Sequence, residues 1–413
     1  MSGLVQRVRA GLPRQAAEWL PPLVVSLVLL PVIISKGQFW PYAPNTIDLR
    51  VYHLAVQDMV NGRDIYLTST PGDNLKFIYP PIAAVLMTPL LLGPYVMWQV
   101  IWTILGTAAL ISVLRRVKVP RGIVLGVLAA ALVLAMEPIR TTVGYGQVNT
   151  MLMALVVIDL LPDDADHPRK IPRGALIGLA AAIKLTPLLF VVFAVLIWKR
   201  RLAVVAAVSF AFFTLIGALL QPGQSVQFWT SLGKGEVNTA GPVYVGNQSV
   251  TGALTRWFAE DRTTIIAALL TGFTIAGLAT LVAAWWWRRG EKAFAIGLVG
   301  LATCLASPLS WTHHYVWAVI LLVALTMRST LPSWSVWLGR TWMVWISLCL
   351  PLAVLPYGSH KEVGYTAIQK LIGNLGPTLG TVLVIGLVVH AAVTVLAERR
   401  RTVSQQPPES FTR

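Results

Sequence analysis

Residues 173–201 read RGALIGLAAAIKLTPLLFVVFAVLIWKRR, an apolar segment with basic residues at both ends and Lys184 and Pro187 at its centre. The segment is long enough for one membrane-spanning helix, but a single crossing would leave a basic cluster on the wrong side of the bilayer. Pro187 also disfavours a helical conformation at Thr186, the residue before it. The pattern therefore predicts two short helices that meet at this break and return the chain to the side it came from.

The rest of the chain has the composition of a membrane protein. Hydrophobic residues make up 56% of the 413 residues, charged residues make up 12%, and the mean hydropathy is +0.68. Soluble domains typically carry about 25% charged residues. The 33 Lys and Arg residues outnumber the 17 Asp and Glu residues, but they lie in short clusters between apolar runs. The positive-inside rule explains that pattern, so we predict no nucleic-acid partner.

The apolar runs predict an all-α polytopic membrane protein with about 12 transmembrane helices and both ends in the cytoplasm. The run that starts at Leu20 has no small-residue cleavage site after it, which favours a retained first span over a signal peptide. Residues 80–92 are too short to cross and predict a re-entrant or surface-lying helix. The remaining predicted spans cover residues 20–35, 95–114, 121–137, 146–161, 202–221, 263–287, 293–307, 313–327, 337–356 and 376–397.

In this topology residues 1–397 form a single transmembrane domain, and residues 398–413 form a basic, polar and disordered cytoplasmic tail. The two longest polar loops, residues 36–79 and 222–262, both fall on the outer side. Basic residues concentrate on the predicted cytoplasmic side, whereas acidic residues divide about evenly, as the positive-inside rule expects. Cys304 and Cys349 lie in apolar runs and are predicted to be core residues.

The first outer loop contains a candidate catalytic carboxylate, Asp48. Apolar residues recur at helical spacing from Leu49 onward, which predicts an amphipathic helix on the membrane surface. Asp48 stands where that helix would begin, and spacing alone favours an N-cap there. A capping carboxylate can still face a cleft, so the catalytic interpretation stays open. Arg50 and Tyr52 follow on the same helix, and Tyr79 precedes a rigid Pro-Pro pair.

Lys184 is a candidate phosphate ligand. A lysine deep in an apolar segment is costly and usually has a partner or a task. At the tip of the helix pair its ammonium group could hold a phosphate, although a lysine that snorkels to the interface would give the same sequence pattern. The adjacent His313 and His314 point in different directions from one helix, so a shared metal is not predicted.

Further amides, hydroxyls and aromatic rings lie in the outer segments. These groups commonly bind sugar or phosphate, and they are also ordinary loop residues. The sequence has no Gly-rich nucleotide loop, no HExxH motif and no D-x-D cluster, which argues against a metal-bound nucleotide-sugar donor. The candidates of this kind are Gln147, Asn149, Asn247, Gln248, Ser249, Arg256 and Trp311.

The order of the motifs resembles a known family. DLRVY (48–52), FIYPP (77–81), IKLTP (183–187), GNQS (246–249) and SPLSWTHH (307–314) follow one another on the predicted outer face. Together they resemble the actinobacterial polyprenol-phosphate-mannose-dependent mannosyltransferases, which have the GT-C fold and form glycosyltransferase family 87. The similarity is greatest to the mycobacterial α-1,2-mannosyltransferases of phosphatidylinositol mannoside and lipomannan synthesis.

The resemblance implies an inverting transfer of mannose from polyprenyl-phosphate-mannose to a glycolipid acceptor at the extracytoplasmic face of the plasma membrane. Asp48 would be the general base. This chemistry needs no nucleotide and need not use a metal. Lys184, Arg256, His313 and His314 would stabilise the leaving phosphate, and the other polar residues would bind substrate: Arg50, Tyr52, Tyr79, Gln147, Asn149, Asn247, Gln248, Ser249 and Trp311.

Two alternatives remain open from the sequence. One is an α-1,2 branching mannosyltransferase of lipomannan and lipoarabinomannan. The other is a secondary transporter or flippase, since about a dozen helices with a re-entrant pair would also suit transport. Transporters place their polar groups near the membrane midplane, whereas here these groups cluster on one predicted face.

Overall fold

The computed structural model describes residues 13–34, 46–72, 74–162, 169–234, 241–327 and 330–404. These residues are predominantly helical, and their one β-type pairing is an isolated antiparallel bridge between Ser69 and Lys76. Short 3₁₀ helices cover Thr88–Leu91, Thr312–Trp317 and Lys361–Gly364. The α-helices of the described residues are α1 (Arg14–Ile34), α2 (Ile47–Val60), α3 (Pro81–Leu86), α4 (Tyr95–Arg116), α5 (Ile123–Ala135), α6 (Glu137–Tyr145), α7 (Asn149–Leu160), α8 (Ala175–Ile183), α9 (Leu188–Leu196), α10 (Arg200–Leu220), α11 (Pro222–Lys234), α12 (Val250–Trp257), α13 (Arg262–Arg288), α14 (Lys292–Ala306), α15 (Ala318–Thr326), α16 (Ser333–Leu348), α17 (Leu350–Val354) and α18 (Ala367–Ser404).

The all-α polytopic fold expected from the sequence is confirmed. An apolar helix lies at each predicted span, but many of these helices are short. By length and composition, four helices of the described residues could cross a membrane, namely α4, α10, α13 and α18, or five if the bent pair α5–α6 counts as one span. Others, such as α7 and α14, are apolar but have 12 and 15 residues.

The reversal predicted at Lys184 is present. Helix α8 ends at Ile183, and α9 begins at Leu188 after a break that contains Pro187. A Cβ atom on Gly174 would lie 2.3 Å from the Leu202 carbonyl oxygen, so the start of α8 lies against the start of α10. Because α9 also ends just before α10, the chain has returned to the end of the bundle from which α8 started.

Helix α14 lies at the centre of the hydrophobic core. Every residue from Phe294 to Ala306 is buried, and α14 forms a tight antiparallel hairpin with α13. Gly272 makes the close approach possible, since a Cβ atom there would lie 3.2 Å from the Ala306 Cα atom. The turn that follows α14 is therefore held in the middle of the molecule, and it carries residues 307–314.

Two buried carboxylates join helices at the end of the bundle opposite to Lys184. Glu18 on α1 accepts hydrogen bonds from Arg115, Arg121 and the Gly122 backbone N–H. Asp159 at the end of α7 pairs with Arg169 and accepts from the Leu176 and Ile177 backbone N–H groups at the start of α8. Since both carboxylates are fully buried and fully paired, they fix the helix ends that carry the basic clusters.

The prediction of a disordered C-terminal tail was wrong for the first residues of that segment. Helix α18 continues to Ser404, so residues 398–404 are helical rather than disordered. The last part of the predicted tail, residues 405–413, and the outer-loop residues 36–45 and 235–240 lie outside the described residues.

Candidate functional site

Asp48 lies in the first turn of α2 and not at its N-cap. The helix begins at Ile47, and the preceding Thr46 makes no side-chain cap, so the N-cap interpretation of Asp48 was wrong. Thr46 instead fixes the start of the helix in place. Its hydroxyl accepts a hydrogen bond from Gln99 Nε2 at 2.7 Å, and its carbonyl accepts one from the Tyr95 hydroxyl at 3.0 Å.

A buried amide lies beside Asp48. Gly146 adopts a left-handed conformation, with φ of 68°, and a Cβ atom there would lie 2.7 Å from Leu49 Cβ. This close approach places Gln147 against the first turn of α2. The Oε1 atom of Gln147 accepts hydrogen bonds from Tyr52 at 2.9 Å and Tyr79 at 3.1 Å.

Lys184 reaches the same place from the tip of the α8–α9 pair. Its ammonium group donates to Asn149 Oδ1 at 3.0 Å and lies 5.5 Å from the centre of the Tyr79 ring. We call Asp48, Tyr79, Gln147, Asn149 and Lys184 the polar site. Its Lys184 end opens into a small pocket lined by Asn149, Leu152, Lys184, Thr186, Pro187, Thr303, Cys304, Ser310, His314, Val316 and Trp317.

The electrostatics of the polar site are dominated by burial. Asp48 is partly exposed, but its carboxyl group lies among protein atoms. Burial raises the pKa of this carboxyl to about 7, although a hydrogen bond from Gln147 and the charge of Lys184 both lower it. A carboxylate with a pKa near neutrality can accept a proton from a hydroxyl more effectively than an ordinary aspartate can.

The two histidines have different surroundings. His314 lines the pocket beside Lys184. His313 is buried, with its ring against Tyr145 at 5.6 Å and Trp311 at 6.0 Å, and its carbonyl oxygen accepts from Thr142 and Asn149. Of the two, His314 is the one whose ring could meet a ligand in this pocket.

Arg256 does not lie at the polar site. It is 2% exposed, and its guanidinium group donates to Asn374 Oδ1 and to the carbonyl oxygens of Tyr244 and Asn247. The prediction that it contacts a donor phosphate is contradicted by this geometry, because these bonds hold the 241–249 loop against α12 and α18.

The GNQS motif also holds this loop rather than lining the pocket. Asn247 donates to the Pro308 carbonyl and accepts from the Ser310 N–H. Gln248 donates to the Gly373 carbonyl, and Ser249 caps α12 by accepting from the Gly252 N–H. The substrate-binding prediction for these three residues is therefore replaced by a structural role, in which the loop supports the turn after α14.

Arg50 and Trp311 lie at the margins of the site. The Arg50 side chain is partly exposed on α2, and that of Trp311 is partly exposed between Tyr244 and His313. Both positions leave room for a ligand, and their predicted contact with substrate stays a prediction.

Sequence reasoning missed several pocket residues. Thr303, Cys304 and Ser310 line the pocket. Outside the pocket, Glu137 belongs to the polar group that the sequence already shows in the segment after residue 136, and it accepts from Thr312 at 2.7 Å to hold the turn that carries the histidines. Polar residues at the end of the apolar run 293–307 were the available signal for the first two. Both cysteines are free and buried, as predicted.

Within the described residues, no three His, Cys, Asp or Glu side chains converge in a way that could hold a metal ion. A metal-independent reaction stays a prediction, since this concerns only the part of the chain that the structure describes.

The fold and the composition define a multi-pass membrane protein with an interior polar site. The model of glycosyltransferase family 87 matches residues 77–308, more than half of the chain. This protein belongs to glycosyltransferase family 87 and is a glycosyltransferase, which leaves the transporter alternative without support.

Two similar proteins of known activity come from mycobacteria. The polyprenol-phosphate-mannose-dependent α-(1-2)-phosphatidylinositol mannoside mannosyltransferase of Mycobacterium tuberculosis is 30% identical, over 89% of this chain and 91% of that protein. The α-(1-2)-phosphatidylinositol pentamannoside mannosyltransferase of Mycolicibacterium smegmatis, also polyprenol-phosphate-mannose-dependent, is 33% identical over 72% of this chain and 74% of that protein.

One solved structure is similar over most of its length. ArnT from Cupriavidus metallidurans, in a crystal structure with undecaprenyl phosphate, has a TM-score of 0.38 and 15% identity, over 94% of this chain and 80% of that one. The two chains superpose too loosely for a comparison of their sites.

Proposed function

We propose that this protein transfers mannose from polyprenyl-phosphate-mannose to a phosphatidylinositol mannoside, with inversion at the anomeric carbon and formation of an α-1,2 linkage. The activities of its mycobacterial relatives support the donor, the acceptor and the linkage. The observation that carries the proposal for this chain is that Asp48 and Lys184, far apart in sequence, meet in one polar site.

Asp48 is the general base in this proposal. It takes the proton from an acceptor hydroxyl while that oxygen attacks C1 of the mannosyl donor. The bond between C1 and the phosphate oxygen breaks at the same time, and polyprenyl phosphate leaves with the electron pair. Because attack and departure occur on opposite faces of C1, a β-linked donor gives an α-linked product.

Lys184 neutralises the charge that develops on the leaving phosphate. Its hydrogen bond to Asn149 and its position over the Tyr79 ring hold the ammonium group in place before the reaction. Preorganised donors of this kind stabilise charge in the transition state without reorganisation. His314, which lines the same pocket, is the second candidate for contact with the phosphate.

The reaction takes place at the extracytoplasmic face of the plasma membrane in this proposal. The basic clusters lie at the other end of the bundle from Asp48. Tyr95 bonds to Thr46 beside Asp48, whereas Arg115 at the far end of the same helix bonds to Glu18. At 1.5 Å per residue the two ends are about 30 Å apart, the thickness of the hydrocarbon core.

A transfer assay tests the proposal. The purified protein would receive mannosyl-phosphoryl polyprenol and a panel of acceptors that includes phosphatidylinositol mannosides and lipomannan. We expect one mannose to be added in α-1,2 linkage to a phosphatidylinositol mannoside, identified by linkage analysis of the product. Exclusive transfer to lipomannan would favour branching activity, and another linkage or a nucleotide-sugar donor would contradict the proposal.

A further inference from the structure

The amide oxygen of Gln147 is fully occupied by two tyrosine hydroxyl groups. The hydroxyl groups of Tyr52 and Tyr79 both lie within 3.1 Å of Oε1, and the two hydroxyl oxygens are 3.0 Å apart. Gln147 is 5% exposed, Tyr52 is 0% exposed and Tyr79 is 6% exposed, so these bonds are shielded from water.

The tyrosine pair is itself held rigidly. The rings of Tyr52 and Tyr79 pack edge to face, with centroids 5.4 Å apart. The carbonyl oxygen of Tyr79 accepts a hydrogen bond from Tyr66 at 3.0 Å, and Tyr52 lies on the same helix as Asp48. The two hydroxyl groups therefore have fixed positions, and they hold the accepting amide oxygen in one place.

This arrangement determines what Gln147 offers to Asp48. A carboxylate accepts hydrogen bonds and cannot donate them, whereas an amide has one accepting end and one donating end. With Oε1 bound by the tyrosines, Nε2 is the end left to face Asp48. Gln147 follows Gly146, whose close approach to Leu49 sets it against the helical turn that carries Asp48, and its amide lowers the pKa of that carboxyl. The reverse orientation would place two oxygen atoms against each other and leave the tyrosine protons without this acceptor.

We infer that Gln147 is a positioning residue for the general base: its amide, oriented by Tyr52 and Tyr79, binds the ionised Asp48 carboxylate and leaves the sugar to other residues. This inference rests on the proposed function, and it replaces the substrate-binding role that the sequence predicts for all three residues. The hydrogen bond stabilises the charged form of Asp48 against the burial that disfavours it. It also occupies one oxygen of the carboxylate, so the other oxygen is the one presented to the acceptor hydroxyl.

The test is the pH dependence of kcat/KM for mannosyl transfer. The reaction needs ionised Asp48, so the rate of the unmodified enzyme rises with pH through the pKa of that group. Gln147→Leu keeps most of the side-chain volume but removes the donor. A hydrogen bond to a charged group is worth about 1.5–3 kcal/mol, which corresponds to an upward shift of about 1–2 pH units in the rising limb. We expect a loss of about 10–100-fold at pH 6 that shrinks to about twofold or less at pH 9.

A second variant keeps the inference testable if Gln147→Leu does not fold. In the double variant Tyr52→Phe/Tyr79→Phe the amide remains but loses its fixed orientation. The rising limb of the pH profile should therefore shift in the same direction by less. Tyr365→Phe removes a hydroxyl that is bonded to the Pro356 carbonyl and is not part of the polar site. It is the control and should leave the rising limb of the pH profile in place.

Two results would overturn the inference. One is a loss of activity that is equal at every pH, which would indicate binding or structure rather than control of the base. The other is an unchanged profile in both variants. Full activity in Asp48→Asn would instead contradict the proposed function itself, so the two failures are distinguishable.

Discussion

Asp48 and Lys184 are ionisable side chains held where their charged forms are poorly solvated. Burial raises the pKa of Asp48 to about 7, and Lys184 has a neutral amide as its hydrogen-bonding partner. Buried ionisable side chains without a full ion pair cost stability, and a perturbed pKa such as that of Asp48 is typical of functional sites. By contrast, Glu18 and Asp159 are buried with arginine partners, and their role is structural.

Replacement of the base should nearly abolish transfer. Asp48→Asn keeps the size of the side chain, so the fold should survive, but it removes the proton acceptor. General-base catalysis typically contributes about 10²–10⁴-fold, and we expect a decrease of that size in kcat. In the unmodified enzyme activity should fall as pH decreases through about 7, because protonated Asp48 cannot act as a base.

The control for Asp48→Asn lies on the same helix. Asp58 pairs with Arg63 and accepts from Thr68, so its role is local structure. Asp58→Asn should retain most of the transfer activity. If Asp58→Asn were inactive while Asp48→Asn transferred mannose normally, the base would be wrongly assigned.

Replacement of Lys184 should affect use of the donor. Lys184→Met keeps the length of the side chain and removes its charge. Charge-assisted hydrogen bonds contribute about 1.5–3 kcal/mol, so kcat/KM for polyprenyl-phosphate-mannose should fall about 10–100-fold. Steady-state kinetics with the donor varied would measure the effect, and Lys361→Met, an exposed lysine elsewhere, is the matched control. Unchanged donor kinetics would mean that Lys184 only snorkels to an interface.

At the scale of elements, the α8–α9 pair was the most predictable part of the fold. A lysine, a proline and the basic residues at both ends were sufficient to predict the reversal, because each signal is local. The role of the GNQS segment was not predictable in the same way. Asn247 and Gln248 bind residues more than 60 positions away, and sequence spacing carries no information about such contacts.

The position of Lys184 depends on the packing of α8 against α10. A Cβ atom on Gly178 would lie 2.4 Å from the Ala206 carbonyl oxygen and 2.5 Å from Ser209 Cβ. Gly178→Ala should therefore force the two helices apart and destabilise the protein by about 1–3 kcal/mol. We expect a lower melting temperature, followed by tryptophan fluorescence, together with reduced donor use because Lys184 moves with α8.

Gly277 on α13 provides the control for this substitution. No atom lies within 4 Å of the position that its Cβ atom would occupy, so Gly277→Ala should leave the melting temperature unchanged or raise it slightly. Equal effects of the two substitutions would show that α8 does not depend on the close approach to α10.

At the scale of the whole molecule, clusters that are distant in sequence meet at one end of the bundle. Lys199 and Lys292 both lie within 5.7 Å of the Trp287 ring, and Arg289 pairs with Glu398. Composition predicted that the chain is a membrane protein and that its charges are polarised. It could not predict that many helices would be shorter than a full span, since the length of an apolar run does not show where the helix bends or ends.

The orientation of this bundle leads to a final prediction. With Cys304 and Cys349 replaced by alanine, single cysteines would be introduced at exposed positions of opposite ends. Lys361→Cys and Asp261→Cys report on the end near Asp48, where His360 lies 3.8 Å from Glu260. Lys170→Cys and Arg400→Cys report on the end that carries the basic clusters.

In intact cells an impermeant thiol reagent should label the first pair and not the second, because Lys and Arg are retained on the cytoplasmic side. Labelling of the second pair alone would place Asp48 in the cytoplasm and would contradict transfer at the outer face, while the geometry of the polar site would be unaffected.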